Sequence, residues 1–141
     1  MLVPEPAVVA HRYYELFNAR KLEEAERLVS PQAVFRYPHS REHLIGRAGY
    51  RELVRLWLQA FPDGVAEVLA ARAVGDDAVV VDILGRGTHS GPLAFGGLLT
   101  LPASELSAQM RFSDTLQIEH GLIVESTVRF EIKEMLHRLG G

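Results

Sequence analysis

The chain contains no cysteine. That absence excludes disulfide scaffolds, thiolate-ligated zinc, iron–sulfur clusters and thiol nucleophiles. Long apolar runs are missing too, and none approaches the ~20 residues that a membrane helix needs. The start, Met1-Leu2-Val3-Pro4-Glu5-Pro6, carries no basic residue. The apolar stretch Ala7 to Ala10 is too short for a signal-peptide core. A soluble, cytoplasmic protein is therefore expected. Excess positive charge is also lacking: 15 basic against 18 acidic residues give a net charge of −3. This argues against binding nucleic acid through bulk charge. Repeats, low-complexity tracts and linkers are absent, so 1–141 is read as one domain, in line with roughly 100–200 residues per domain. A hydrophobic fraction of 48% with 23% charged residues is ample for a packed core.

What is present is helical first and strand-rich later. Pro6 suits a helix start, and Val9, Tyr13, Leu16 and Phe17 follow at helical spacing. A short second helix carries Leu22, Ala25, Leu28 and Val29 and stops at Ser30-Pro31. Val34 to Tyr37 reads as a short strand. The clearest helix runs from Arg47 to Phe61, with Tyr50, Leu53, Val54, Trp57 and Phe61 on one stripe. After the turn Pro62-Asp63-Gly64, strands are expected over Val65–Val74 and Ala78–Thr88. A glycine- and proline-punctuated loop follows, then two more strands and a last helix over Ile132–Leu139. Helices before strands indicate an α+β domain with helices packed on an antiparallel sheet.

Ser107 to Glu119 carries the most chemistry. Its odd positions are all polar, and its even positions are Ala108, Met110, Phe112, Asp114, Leu116 and Ile118. Period-two alternation buries the even set, which leaves Asp114 as a carboxylate on an apolar face. In the next segment Ser126 interrupts the series Leu122, Val124, Val128, Phe130. A three-residue loop Glu119-His120-Gly121 pairs every apolar residue with another and sets Asp114 opposite Ser126. A two-residue loop would pair residues of opposite parity, so it is rejected. Burial should raise the Asp114 pKa, as an acid–base group near neutral pH requires. The plainer reading is a structural carboxylate satisfied by Ser126, a backbone N–H or a basic side chain.

Several stretches, in order, carry a resemblance. They are Phe61-Pro62-Asp63, Gly75-Asp76, Gly87-Thr88-His89-Ser90-Gly91-Pro92, Gly121-Leu122-Ile123-Val124-Glu125 and Leu136-His137-Arg138-Leu139-Gly140. Together they resemble the SnoaL-like polyketide cyclases of the nuclear transport factor 2-like superfamily. That resemblance implies a cone: a curved antiparallel sheet wrapped around a long helix, with further N-terminal and C-terminal helices and a pocket between. It also implies dimerisation through the sheet and cofactor-free aldol cyclase or isomerase chemistry. Three departures stand out. Glu131 occupies the place of the family's acid–base aspartate. The loop Leu99-Thr100-Leu101-Pro102-Ala103-Ser104 lacks the Pro-Pro-Thr-Gly run. Tyr37 precedes Pro38 where ketosteroid isomerases carry a base aspartate. Asp82, Arg111 and Asp114 supply the residue types of related epoxide hydrolases, but Arg111 has the wrong parity and Asp82 is expected outside.

The expected catalytic set is Asp114, with Tyr14 and His89 polarising or positioning a substrate oxygen. Tyr13, Phe17, Trp57, Phe61, Phe112, Ser126 and Val128 are expected to bind substrate. For the aromatic residues, ordinary core packing is the competing reading. His39 and His43 lie i, i+4 but beside Pro38 and without a third ligand nearby, so no metal is expected. Gly85-x-Gly87 precedes no helix and is no dinucleotide fingerprint. No cofactor, nucleic-acid partner or membrane contact is expected. The expected ligand is a small hydrophobic, carbonyl-containing molecule, either turned over or merely held.

Overall fold

In the computed structural model, residues 4–38, 43–95 and 99–140 are described. The segment with His39 and the glycines Gly96 and Gly97 fall outside them. Helix α1 (Pro6–Asn18) starts at its proline and buries Val9, Ala10, Tyr13 and Leu16 along one face. Arg20, at φ 60°, follows its end. The Arg20 guanidinium donates to the carbonyls of Phe17, Pro62 and Gly64, tying α1 to a turn more than 40 residues away. Helix α2 (Leu22–Glu26) is one short turn. Strand β1 (Val29–Arg36) begins five residues before the expected Val34 and runs through Ser30-Pro31. Its ladder is irregular between Val29 and Val34, where a proline without an N–H is tolerated.

Strand β2 (Leu44–Ile45) leads into the long helix α3 (Gly46–Ala60). Gly46 opens it at φ 67°, and a Cβ there would lie 2.5 Å from the Pro31 carbonyl oxygen. Only glycine satisfies both constraints. Strands β3 (Val65–Val74), β4 (Ala78–Thr88) and β7 (Ser107–Glu119) occupy the expected spans. Between β4 and β7 the loop contains a small hairpin, β5 (Leu93–Phe95) with β6 (Leu99–Leu101). Strand β8 (Leu122–Arg129) and helix α4 (Ile132–Arg138) close the chain.

Among the described residues the main sheet has the order β2-β1-β8-β7-β4-β3. It is curved around α1 and α3 as a cone. Every neighbouring pair is antiparallel except β1 with β8, which run parallel. The expected curved antiparallel sheet is thus present, with β1–β8 as its one parallel pair among the described residues. Parallel neighbours need a long crossover, and here α3 and six strands intervene. Val79, Val81 and Ile83 of β4 and Leu116 and Ile118 of β7 form the sheet side of the core. Among the described residues, no helix is long and apolar enough to cross a membrane.

The β7–β8 hairpin also departs from expectation. Its loop is the two-residue turn His120-Gly121, with φ of 53° and 78°, the left-handed pair of a type I′ turn. Glu119 then pairs with Leu122 and Ile118 with Ile123. The register shifts between Ile118 and Gln117, leaving Val124 extra, and parity is restored from Gln117–Glu125 onward. Asp114 therefore faces Val128 across the ladder, and Ser126 faces Leu116. The bulge absorbs the extra residue that strict parity forbids and returns Asp114 and Ser126 to the buried face.

Candidate active site

A cavity of about 160 Å³ lies between the inner face of the sheet and helices α1, α3 and α4. Each wall follows from a periodicity. Helix α1 presents Tyr13, Tyr14 and Phe17; α3 presents Tyr50, Leu53 and Trp57 at successive turns. Strand β7 presents Ala108, Met110, Phe112 and Asp114 by alternation, and β8 adds Val128. Met135 and Leu139 of the last turns close one side. Trp57, Phe112 and Phe130 meet edge to face, with ring centroids 5.2–5.9 Å apart.

Asp114 is the carboxylate in this lining and only 1% exposed. The Tyr14 hydroxyl donates to its Oδ2 at 2.5 Å. The Ser126 hydroxyl donates to its Oδ1 at 2.8 Å. The backbone N–H of Thr127 is a third donor. Two effects oppose one another. Burial raises the Asp114 pKa, whereas the three hydrogen bonds lower it, and burial prevails. Burial likewise raises the Tyr14 phenol well above its ordinary value, and the neighbouring carboxylate adds to this. The Tyr14 hydroxyl stays protonated and donating across the physiological range.

The remaining expected residues divide clearly. Tyr13, Phe17, Trp57, Phe61, Phe112 and Val128 line the cavity. Ser126 does not: it sits behind Asp114, and its hydroxyl donates to Oδ1 there. His89 is fully buried but lies outside the cavity lining. Strand β4 ends at Thr88, so its alternation no longer directs the next side chain inward. His89 Nδ1 accepts the Ser104 N–H at 3.2 Å and lies 2.9 Å from the Ser104 hydroxyl. The ring packs against Phe61, centroids 5.4 Å apart. Burial pushes this imidazole down, against the opposing pull of Glu105. These contacts tie His89 to the loop at Ser104. Arg111 is exposed and Asp82 pairs across the ladder with Ser113 rather than joining Asp114, as parity required.

Tyr50, Met110 and Met135 line the cavity although none was singled out as a site residue. Met110 shares the parity of Asp114, and Tyr50 lies seven residues before Trp57 on one helical face, so both carried a usable signal. The Tyr50 hydroxyl is buried without a hydrogen bond, and burial raises its pKa.

The family model described as SnoaL-like polyketide cyclase matches residues 7–135. A candidate SnoaL-like polyketide cyclase from Jannaschia sp. CCS1 has a TM-score of 0.82 at 16% identity, covering 100% of this chain and 96% of that one. IdmH, a candidate polyketide cyclase from Streptomyces antibioticus, has a TM-score of 0.77 at 29% identity, covering 98% and 100%. TerC, co-crystallised with polyporic acid, has a TM-score of 0.76 at 14% identity, covering 97% and 100%. No curated protein matches this chain in sequence.

Proposed function

The chain belongs to the SnoaL-like polyketide cyclase family, and from that premise we propose that it is a cofactor-independent cyclase or isomerase. It moves a proton next to a carbonyl of a small cyclic, polyketide-like substrate. The observation that carries this reading is a carboxylate, Asp114, 1% exposed, in the wall of an apolar cavity. An apolar wall binds a planar ring by burial, and exclusion of water strengthens the electrostatics of the group within it.

In this reading Asp114 is the base. Its carboxylate takes the proton α to the substrate carbonyl, and negative charge develops on the substrate oxygen. Tyr14 donates to Asp114 Oδ2 beforehand and so aims the carboxylate. Once Asp114 is protonated it needs fewer donors, and the Tyr14 hydroxyl is free to turn to the developing oxyanion. Ser126 keeps the carboxyl plane fixed through Oδ1 throughout. His89 takes no part. Three donors on one carboxylate also favour a second reading, a non-catalytic pocket that only holds a hydrophobic ligand.

The test is an NMR titration of the Asp114 carboxyl together with turnover of a panel of polyketide-like and steroid-like carbonyl compounds. A raised pKa and turnover abolished in Asp114→Asn support the enzyme. Saturable binding without turnover in either protein supports the binder. An Asp114 pKa at the free-carboxylate value removes the base from the mechanism.

A further inference from the structure

A ligand that reaches Asp114 from the open end of the cavity must pass Phe112. The inner positions of β7 run Ala108, Met110, Phe112, Asp114, about 20 Å at ~3.4 Å per residue. The cavity opens at the Ala108 end, where Gly87, Ala108 and Arg138 line both it and a wider polar depression outside.

The Phe112 ring reaches beyond its own cross-strand partner, Ile83. It leans onto β4 toward the opening, over Gly85, which pairs with Met110. A Cβ at Gly85 would lie 2.6 Å from Phe112 Cε1 and 3.0 Å from Cδ1. The backbone does not demand glycine here, because Gly85 is not among the residues with positive φ. What requires glycine is the ring. Trp57 and Phe130 meet the same ring at 5.8 and 5.2 Å and limit sideways movement.

We propose that Gly85 is a specificity-determining position: by giving the Phe112 ring a seat on β4, it keeps the way to Asp114 open to planar multi-ring ligands. The proposal rests on the reading of the cavity as a ligand site. An alanine at 85 lifts the ring off the sheet. With Trp57 and Phe130 beside it, the ring moves into the cavity and narrows it ahead of Asp114. A one-ring ligand still fits; a fused three-ring ligand does not.

Trp57 is the single tryptophan and stands in the cavity wall, so its fluorescence reports occupancy. The probes are 1,8-dihydroxyanthraquinone, a planar tricyclic carbonyl compound, and acetophenone, which has one ring. Both should quench Trp57 saturably in the unsubstituted protein. Gly85→Ala should weaken the tricyclic probe about tenfold, as overpacking by one methyl implies, and acetophenone far less. Adding Phe112→Ala to that variant should restore tricyclic binding. Unchanged tricyclic affinity in Gly85→Ala overturns the proposal. So does loss of both probes without rescue, which would make Gly85 a requirement of the fold. If neither probe binds the unsubstituted protein, the ligand-site reading itself fails, an outcome distinct from failure at Gly85. Should Gly85→Ala not melt cooperatively, Phe112→Trp read by calorimetry takes its place: weakened tricyclic binding supports the proposal, and undiminished binding overturns it.

Discussion

Asp114 and His89 invite comparison because by burial alone they look alike. One is 1% exposed and the other 0%. Each is held by a serine, Ser126 or Ser104. Desolvation pushes each toward its neutral form, so the carboxyl pKa rises and the imidazole pKa falls. They differ in what borders them. Asp114 forms part of a cavity wall, whereas His89 is enclosed by Ser104, Phe61 and the backbone of residues 104–106. A buried polar group is a candidate for chemistry only where a reactant can stand beside it.

The sharpest way to break this comparison is to neutralise each group in turn. Asp114→Asn should lower turnover about a hundred- to ten-thousand-fold, the usual worth of a positioned base. His89→Gln should leave kcat near that of the unsubstituted protein. Equal losses in steady-state kinetics would erase the distinction.

The second effect is on stability and reverses the ranking. His89→Ala removes a fully buried ring and leaves the Ser104 N–H without its acceptor. It should cost about 2–4 kcal/mol in denaturant unfolding, from the cavity and the orphaned donor. Asp114→Asn should do the opposite at neutral pH. A carboxyl whose folded pKa lies above its unfolded value stabilises fully below the unfolded pKa, and that stability is lost as pH rises through the folded pKa. The asparagine variant, which never ionises, should therefore melt higher than the unsubstituted protein at pH 7. The advantage should vanish below the ordinary carboxylate value of 3.8. Melting curves at the two pH values check this.

A smaller effect concerns the donors to Asp114. Tyr14→Phe leaves Oδ2 of a buried carboxylate without its partner, at a cost of about 1–3 kcal/mol. Because that bond lowers the Asp114 pKa, its loss should move the rising limb of the pH–rate profile to higher pH. Ser126→Ala should shift the limb the same way through Oδ1. A limb that stays in place would show that another group titrates.

Most of the architecture was legible because it is local. The spans of β3, β4 and β7 follow from alternation between turn signals, and the face of Asp114 follows from parity within a single strand. The extra residue at Val124 was not legible, because a bulge depends on pairing with a neighbour and not on the strand that carries it. Nor was the early start of β1, since Pro31 read as a stop until the irregular ladder with β8 accommodated it. The surroundings of His89 were not legible either, because β4 and its alternation end one residue earlier, at Thr88.

The sequence by itself determined that no thiol can act here, and that one carboxylate lies on an apolar face. These are consequences of composition and of a two-residue period, and they need no partner strand. The tertiary structure alone decided which phenol meets that carboxylate, since Tyr14 and Asp114 stand 100 residues apart and meet only where α1 crosses β7. It alone decided that the space beside Asp114 is a cavity and the space beside His89 is filled. Whether a buried face ends in packing or in a void depends on the volumes of side chains from separate elements, Phe112 over Gly85 among them, and no single segment carries that sum.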